Sequence, residues 1–192
     1  SKKGLFSIRF SGGEPTLHNN LLIMVWYAKQ LGAKRVALST NGSAEQVKYQ
    51  WLIEEGVDDF SFSLDACCAS FADKMAGTNA NFESLTDNIK FVASQVYTTV
   101  GIVLTEDNLD SIVDTVCFAS ELGVADIRII SAAQYNKLLA GVEKIPTPIL
   151  DKHPILKYRV NNILQGRNVR GIKERSEERR GGKECIYRGW PF

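Results

Sequence analysis

Three stretches of this chain are built alike: QLGAKRVAL at 30–38, EEGVDDFSF at 54–62 and ELGVADIRI at 121–129. Each ends a helical period, passes through one glycine and enters an apolar run within a few residues. Glycine adopts the left-handed conformation without a Cβ penalty, so Gly32, Gly56 and Gly123 are placed to close helices and send the chain straight into strands. Helices that feed strands this quickly imply parallel strands joined by crossover helices, since antiparallel neighbours need only hairpins. This junction, used three times, restricts the fold more than any total does.

Five strand signals accompany the junctions: LFSIRF (5–10), RVALST (35–40), DFSFSL (59–64), YTTVGIVL (97–104) and DIRIIS (126–131). Apolar stripes of helical period lie between them: Leu21, Met24, Ala28 and Leu31; Phe82, Leu85, Ile89, Val92 and Val96; Leu109, Ile112, Val116 and Ala119. The segment 44–55 is less regular, with Val47 and Trp51 on one side. The expected fold class is α/β: sequential parallel strands in a curved sheet, right-handed crossovers, and helices on the outer face. Five strands cannot close an eight-stranded barrel, so a partial TIM-like (β/α) barrel is expected. The strands end in SGGEP, STNG, SLDA, LTEDN and ISAA. Polar and glycine-bearing residues therefore gather at the carboxyl ends, where parallel α/β folds bind ligands.

Composition narrows the function classes. With 192 residues, 44% hydrophobic and 23% charged, the chain is ordinary for a globular protein. A net charge of +1 gives no reason to expect a nucleic-acid partner. The charge is uneven, however: residues 151–192 hold 11 Lys/Arg and 5 Asp/Glu, which leaves 12 and 17 in residues 1–150. Residues 1–135 read as the core and 136–192 as a basic C-terminal extension with one helix near 155–165. Its charged part, GRNVRGIKERSEERRGGKEC, has little apolar area to offset the entropy of ordering it and reads as a solvated connector. Cys67, Cys68, Cys117 and Cys185 lack the density of a disulfide framework, so they are expected reduced and the protein cytoplasmic. The longest apolar run, 21–28, is too short to span a bilayer. The opening SKKGLFSIRF has no signal-peptide core. No membrane partner is expected.

Read in order, SGGEPTLH, STNG, SLDA and GIVLTEDNLDSI resemble the strand-end motifs of the radical S-adenosylmethionine (radical SAM) enzymes over about residues 4–131. The resemblance implies S-adenosylmethionine held among the strand ends. For the full-length protein it also implies a 4Fe–4S cluster on a Cys-x3-Cys-x2-Cys loop, an electron donor, and reductive cleavage to a 5′-deoxyadenosyl radical. The substrate it leaves open, peptide or small molecule; a maturase or peptide-modifying member is the nearest type. This chain has no such cysteine triplet: Cys67 and Cys68 are adjacent and Cys117 lies within a helical stripe. Its first strand signal resembles the family's second strand. A truncated first β/α unit is therefore expected, with the chain alone inactive and the edge beside residues 5–10 open to pairing with a second copy.

The resemblance also assigns residues. The backbone carbonyls of Gly12 and Gly13, with Glu14, would receive the methionyl ammonium, which has donors only. Pro15 would set the exit into the next helix. Thr40 or Asn41 would contact the ligand, unless Asn41 and Gly42 are an ordinary turn. Asp65 would accept ribose hydroxyls, unless it starts a helix; Ser63 would reach the cofactor or be a plain strand serine. Val103 and Ile130 would line the adenine side. Asn108 would either touch the cofactor or cap the helix at Leu109. Related sequences carry Arg where this chain has Ala76, which leaves Lys74 as the substitute for holding the cofactor carboxylate. Cys185, in GGKECIYRGWPF, resembles the first cysteine of an auxiliary C-terminal region. Two other readings stay open: a barrel enzyme for a phosphorylated substrate, and a non-catalytic nucleotide- or protein-binding module.

Overall fold

The structure, a computed structural model, describes residues 7–69, 81–105, 108–131 and 141–167. Strands β1 (Ser7–Phe10), β2 (Arg35–Thr40), β3 (Asp59–Ser63), β4 (Tyr97–Leu104) and β5 (Asp126–Ser131) form one sheet. Their order is sequential and every pair is parallel. Helices α1 (Leu21–Gln30), α2 (Gln46–Glu54), α3 (Phe82–Ala93) and α4 (Ile112–Glu121) lie in the connections. The partial (β/α) barrel expected from the sequence is the fold observed, and β3 ends one residue earlier than its sequence signal.

The glycine junctions work as expected. Gly32, Gly56 and Gly123 have φ of +83°, +104° and +82°. After α1 the Ala33 N–H reaches back to the Ala28 carbonyl (3.0 Å), and after α2 the Val57 N–H reaches the Leu52 carbonyl (2.9 Å). These bonds satisfy last-turn carbonyls and aim the chain at the next strand.

Alternation along the strands separates two faces. Val36, Leu38, Phe60, Phe62, Val100, Ile102, Ile127 and Ile129 form the apolar face and join one buried cluster with the helices. Arg9, Ser39, Asp59, Ser61, Thr99, Gly101 and Arg128 lie on the other, inner face. A parallel sheet with two dry faces would read as continuous apolar runs; this one has a polar interior.

Two helices present faces other than those read from the sequence. α1 buries Leu21, Val25 and Ala28, while Leu31 lies past the last turn and is 50% exposed. α2 buries Tyr49 and Leu52, whereas Val47 and Trp51 are 41% and 48% exposed. Tyr49 can be the buried aromatic because its hydroxyl finds a partner inside.

The core continues past residue 135. α5 (Thr147–Lys152) and α6 (Pro154–Leu164) follow β5, and Val142, Ile145, Leu156, Val160 and Ile163 belong to the same buried cluster. The Asp126 carboxylate accepts from the N–H groups of Ile155 (2.9 Å) and Leu156 (3.3 Å), so a strand residue caps α6. Arg159 donates to the Ile129 carbonyl (3.0 Å). Buried His153 contacts Ser120 Oγ (2.9 Å) and the Ala125 carbonyl (3.3 Å). These bonds fix α6 beside β5. Lys74, Ala76, Cys185 and the charged segment around Cys185 lie outside the described residues. Among the described residues no helix is long and apolar enough to cross a membrane.

Candidate functional site

After β1 the chain turns through Gly12 and Gly13, with φ of +101° and +29°. A Cβ on either would meet nothing within 4 Å, so the turn needs glycine for its backbone conformation and not for space. Both residues are exposed, and among the described residues no hydrogen bond reaches either carbonyl. They border an open depression of about 360 Å3 that Arg9, Phe10, Glu14, Pro15 and Met24 also line. Pro15 opens a short 3-10 turn, Pro15–Leu17, for which Glu14 is the N-cap.

The Glu14 carboxylate is occupied by the protein itself. Its Oε1 accepts from Thr16 N (3.0 Å), Thr16 Oγ1 (2.7 Å) and Thr40 Oγ1 (2.8 Å), and its Oε2 from Asn41 N (2.6 Å). An ionised carboxylate has about four acceptor positions. Glu14 is thus a staple between the ends of β1 and β2; the two glycine carbonyls have no partner among the described residues, and Oε2 carries a single bond. Thr40, 4% exposed, sits inside the network. Asn41 is exposed; its Oδ1 accepts from Ser43 N (3.0 Å), which makes the Asn41–Gly42 pair a true turn and leaves the side-chain amide donors facing out.

Behind that turn there is no slack. Gly42 has φ +78°, and a Cβ there would lie 2.1 Å from Leu85 Cδ1. Asn88 of α3, 2% exposed, donates to the carbonyls of Gly42 (3.0 Å) and Ala44 (2.9 Å). The sequence reading passes over Asn88, although a polar residue beside the buried stripe of α3 was its visible signal.

The second corner joins the ends of β3 and β4. Ser63 is exposed at the end of β3. Half-buried Asp65 accepts from Val103 N (2.7 Å) through Oδ1. Its other oxygen has no hydrogen-bond partner among the described residues. Burial pushes this carboxyl above its ordinary range, against the pull of the Val103 N–H. Asn108 is 2% exposed and fully engaged. Its Oδ1 accepts from Thr105 N (2.9 Å), and its Nδ2 donates to the carbonyls of Val103 (2.8 Å) and Asp65 (3.3 Å). The expected forward cap at Leu109 is absent: the 3-10 turn Leu109–Ser111 begins without a side-chain bond from Asn108. The amide turns back because two buried strand ends need its donors and acceptor. Val103 and Ile130 are half-buried register partners on the inner face, and a Cβ on Gly101 would lie 3.8 Å from Ile130 Cδ1.

Cys67 is half-buried and Cys68 exposed just past Asp65; burial, then the neighbouring Cys68, pushes the Cys67 thiol up. The chain's four cysteines include no Cys-x3-Cys-x2-Cys spacing, and no group of three His, Cys, Asp or Glu among the described residues could hold a metal. These residues do not fit a 4Fe–4S cluster. They do fit S-adenosylmethionine, through the bare carbonyls of Gly12 and Gly13, the half-free carboxylate of Asp65 and the apolar side chains of Val103 and Ile130.

Deeper on the inner face, buried Asp59 accepts from Arg9 (3.0 Å) and Arg35. Arg128 donates to Ser61 and to Thr99 Oγ1 (3.2 Å), and its buried Nε has no partner. Asp126 is turned to α6; Asp59 pairs through Oδ2 with Arg9 and Arg35, its buried Oδ1 has no partner, and Arg128 has hydroxyl partners only. Burial, then the charges of Arg9 and Arg159, pushes the Arg128 guanidinium below its ordinary value. The sequence reading did not single out these arginines, which stand in the strand signals SIRF, RVALST and DIRIIS.

A parallel partial (β/α) barrel with a polar interior and an open depression beside the end of β1 is an α/β barrel architecture. Residues 1–119 match the Radical SAM superfamily, and the chain belongs to that superfamily, whose members use S-adenosylmethionine and a 4Fe–4S cluster. It is 28% identical over 178 residues to a probable GTP 3′,8-cyclase of Sulfurisphaera tokodaii, covering 84% of this chain and 56% of that protein. It is 30% identical over 131 residues to one from Saccharolobus solfataricus, covering 67% of this chain and 42% of that protein. The chain spans about half the length of the curated relatives it matches. Among solved structures, Streptococcus suis SuiB bound to S-adenosylmethionine aligns with a TM-score of 0.59 at 17% identity, over 76% of this chain and 34% of that one. A domain of pyruvate-formate lyase-activating enzyme from Bacteroides vulgatus aligns at 0.57 and 17% identity, over 79% and 95%. At such identity the likeness is one of fold.

Proposed function

We propose that this chain is the S-adenosylmethionine-binding barrel of a radical enzyme that acts on a nucleoside triphosphate, the substrate class for which its sequence relatives are named. The observation that carries the substrate reading is the guanidinium excess on the inner face. Arg9 and Arg35 pair with Asp59, while Arg128 has hydroxyl partners only and its buried Nε is bare, as is Asp59 Oδ1. Guanidinium groups suit phosphates because they donate two charge-assisted hydrogen bonds in one plane. A peptide substrate has only likeness of fold behind it, at 17% identity.

The cofactor supplies, on cleavage, a 5′-deoxyadenosyl radical. The chain's own residues bind and orient it. Gly12 and Gly13 present carbonyls to the ammonium, with the Glu14 charge close behind and Pro15 fixing the turn. Asp65 accepts the ribose hydroxyls; Ser63 and the Asn41 amide meet its polar parts; Val103 and Ile130 flank the adenine. Thr40 and Asn108 act from inside, by holding those groups in place. Lys74 is proposed for the cofactor carboxylate and Cys185 for an auxiliary site. Without a cysteine triplet the 192-residue chain is expected to bind the cofactor and not to cleave it. A reduced, cytoplasmic setting and an electron donor belong to the same reading.

Calorimetric titration with GTP and with guanosine tests the substrate half. GTP is expected to bind about tenfold more tightly or better, and Arg128→Met to remove most of that margin. Equal affinity for the two ligands in the unsubstituted chain would overturn the triphosphate reading.

A further inference from the structure

We infer that Tyr49 is a positioning residue for the cofactor corner: through Thr40 it sets Glu14, and through Glu14 the two glycine carbonyls that receive the ammonium. The inference rests on the reading of that corner as an S-adenosylmethionine site.

The hydroxyl of Thr40 has three polar neighbours: Glu14 Oε1 (2.8 Å), Gly42 N (3.1 Å) and the Tyr49 hydroxyl (3.2 Å). A hydroxyl has one proton and two lone pairs. The ionised carboxylate only accepts, so the Thr40 proton goes to Glu14. The Gly42 N–H fills one lone pair, and the Tyr49 proton must fill the other. The direction of the chain is thereby set: Tyr49 donates to Thr40, and Thr40 donates to Glu14. Tyr49 is 0% exposed, with its ring 6.1 Å from Phe60 and 5.6 Å from Phe62 between centroids. The phenol has no solvent to turn to.

Glu14 in turn ties Thr16, just past β1, to Asn41, just past β2. The two-glycine turn itself stands in open space, with nothing within 4 Å of where a Cβ would lie on either residue. Its position therefore depends on the carboxylate that follows it, and the carboxylate depends on a hydroxyl 35 positions along the chain. A buried hydrogen-bond chain in which every member is satisfied has one arrangement, which is the property a binding turn of bare backbone lacks.

The test compares two ligands on the 192-residue chain. S-adenosylmethionine carries the amino group; 5′-methylthioadenosine keeps the nucleoside and lacks it. Tyr49→Phe is expected to weaken S-adenosylmethionine about three- to tenfold and to leave methylthioadenosine within about twofold. Thr40→Ser, which keeps the hydroxyl, should retain affinity, and Thr40→Val should lose it. Equal loss for both ligands, or loss for neither, would overturn the positioning role. A ligand-free readout separates this from the reading it rests on: the Asn41 amide, which donates to Glu14, should exchange its hydrogen several-fold faster in Tyr49→Phe. Should the unsubstituted chain bind neither ligand, the cofactor reading falls, and unchanged exchange at Asn41 would then overturn the Tyr49 linkage as well.

Discussion

Two carboxylates stand just beyond strand ends and differ in how much of them the protein uses. Glu14 accepts four hydrogen bonds, from Thr16 twice, Thr40 and Asn41. Asp65 accepts one, from Val103, and burial pushes its pKa up. The first is part of the scaffold: its Oε1 takes three donors and its Oε2 takes the Asn41 N–H. The second holds a carboxylate in a half-buried place with an oxygen unused, an arrangement that a donor-bearing ligand would complete. Position after a strand does not decide whether an acidic residue binds; the count of its donors does.

The contrast can be broken in three ways, and the largest effect concerns the backing of the Glu14 corner. Gly42→Ala combines a left-handed φ with a 2.1 Å approach to Leu85, and is expected to cost about 2–4 kcal/mol, seen as a fall of roughly 5–15 °C in Tm. Gly12→Ala meets only the φ penalty, about 1–2 kcal/mol. Thermal melts that gave the two substitutions equal effects would mean that this corner is no tighter behind than in front.

A direct comparison of the carboxylates comes next. Glu14→Gln turns an acceptor oxygen into a donor amide facing N–H and O–H donors, and should cost about 1.5–3 kcal/mol. Asp65→Asn keeps the bond from Val103 on its amide oxygen and should change stability by less than about 0.5 kcal/mol. Chemical denaturation would measure both, and equal costs would erase the distinction.

The smallest effect is in pH. Because the folded pKa of Asp65 is raised, its contribution to stability is present at low pH and is lost as pH rises through the folded value. Ligand binding needs the ionised form, so affinity for S-adenosylmethionine should run the other way and fall as pH drops through that value. Asp65→Asn should flatten the affinity profile in the acidic range above the ordinary carboxylate value. A profile that keeps its shape in the variant would assign the titration to another group.

The sheet was legible because its signal is local: Gly32, Gly56 and Gly123 sit between adjacent periods in the chain. Gly12, Gly13 and Asp65 were legible as strand-end residues for the same reason. The occupation of Glu14 was not, since its partners Thr40 and Asn41 lie 26 and 27 residues away. Tyr49 was hidden by Val47 and Trp51, whose apolar side faces solvent because the phenol, unlike indole, meets Thr40 inside. The helix near 155–165 could be read from its period, but its place beside β5 depends on Asp126, which the sequence presents only as the first residue of a strand. Asn108 looked like a forward cap, and the buried crossing of two strand ends turned it back.

The central claim is that the strand ends from Gly12 to Asp65 hold S-adenosylmethionine, and amide NMR titration of the 15N-labelled chain tests it most directly. Progressive shifts are expected at residues 11–14, 41, 63–66 and 103, with a dissociation constant of about 1 mM that Asp65→Asn weakens about tenfold. Silence at these amides with the ligand at several times that concentration, or shifts confined to the outer helix faces around Trp26 and Trp51, would contradict it.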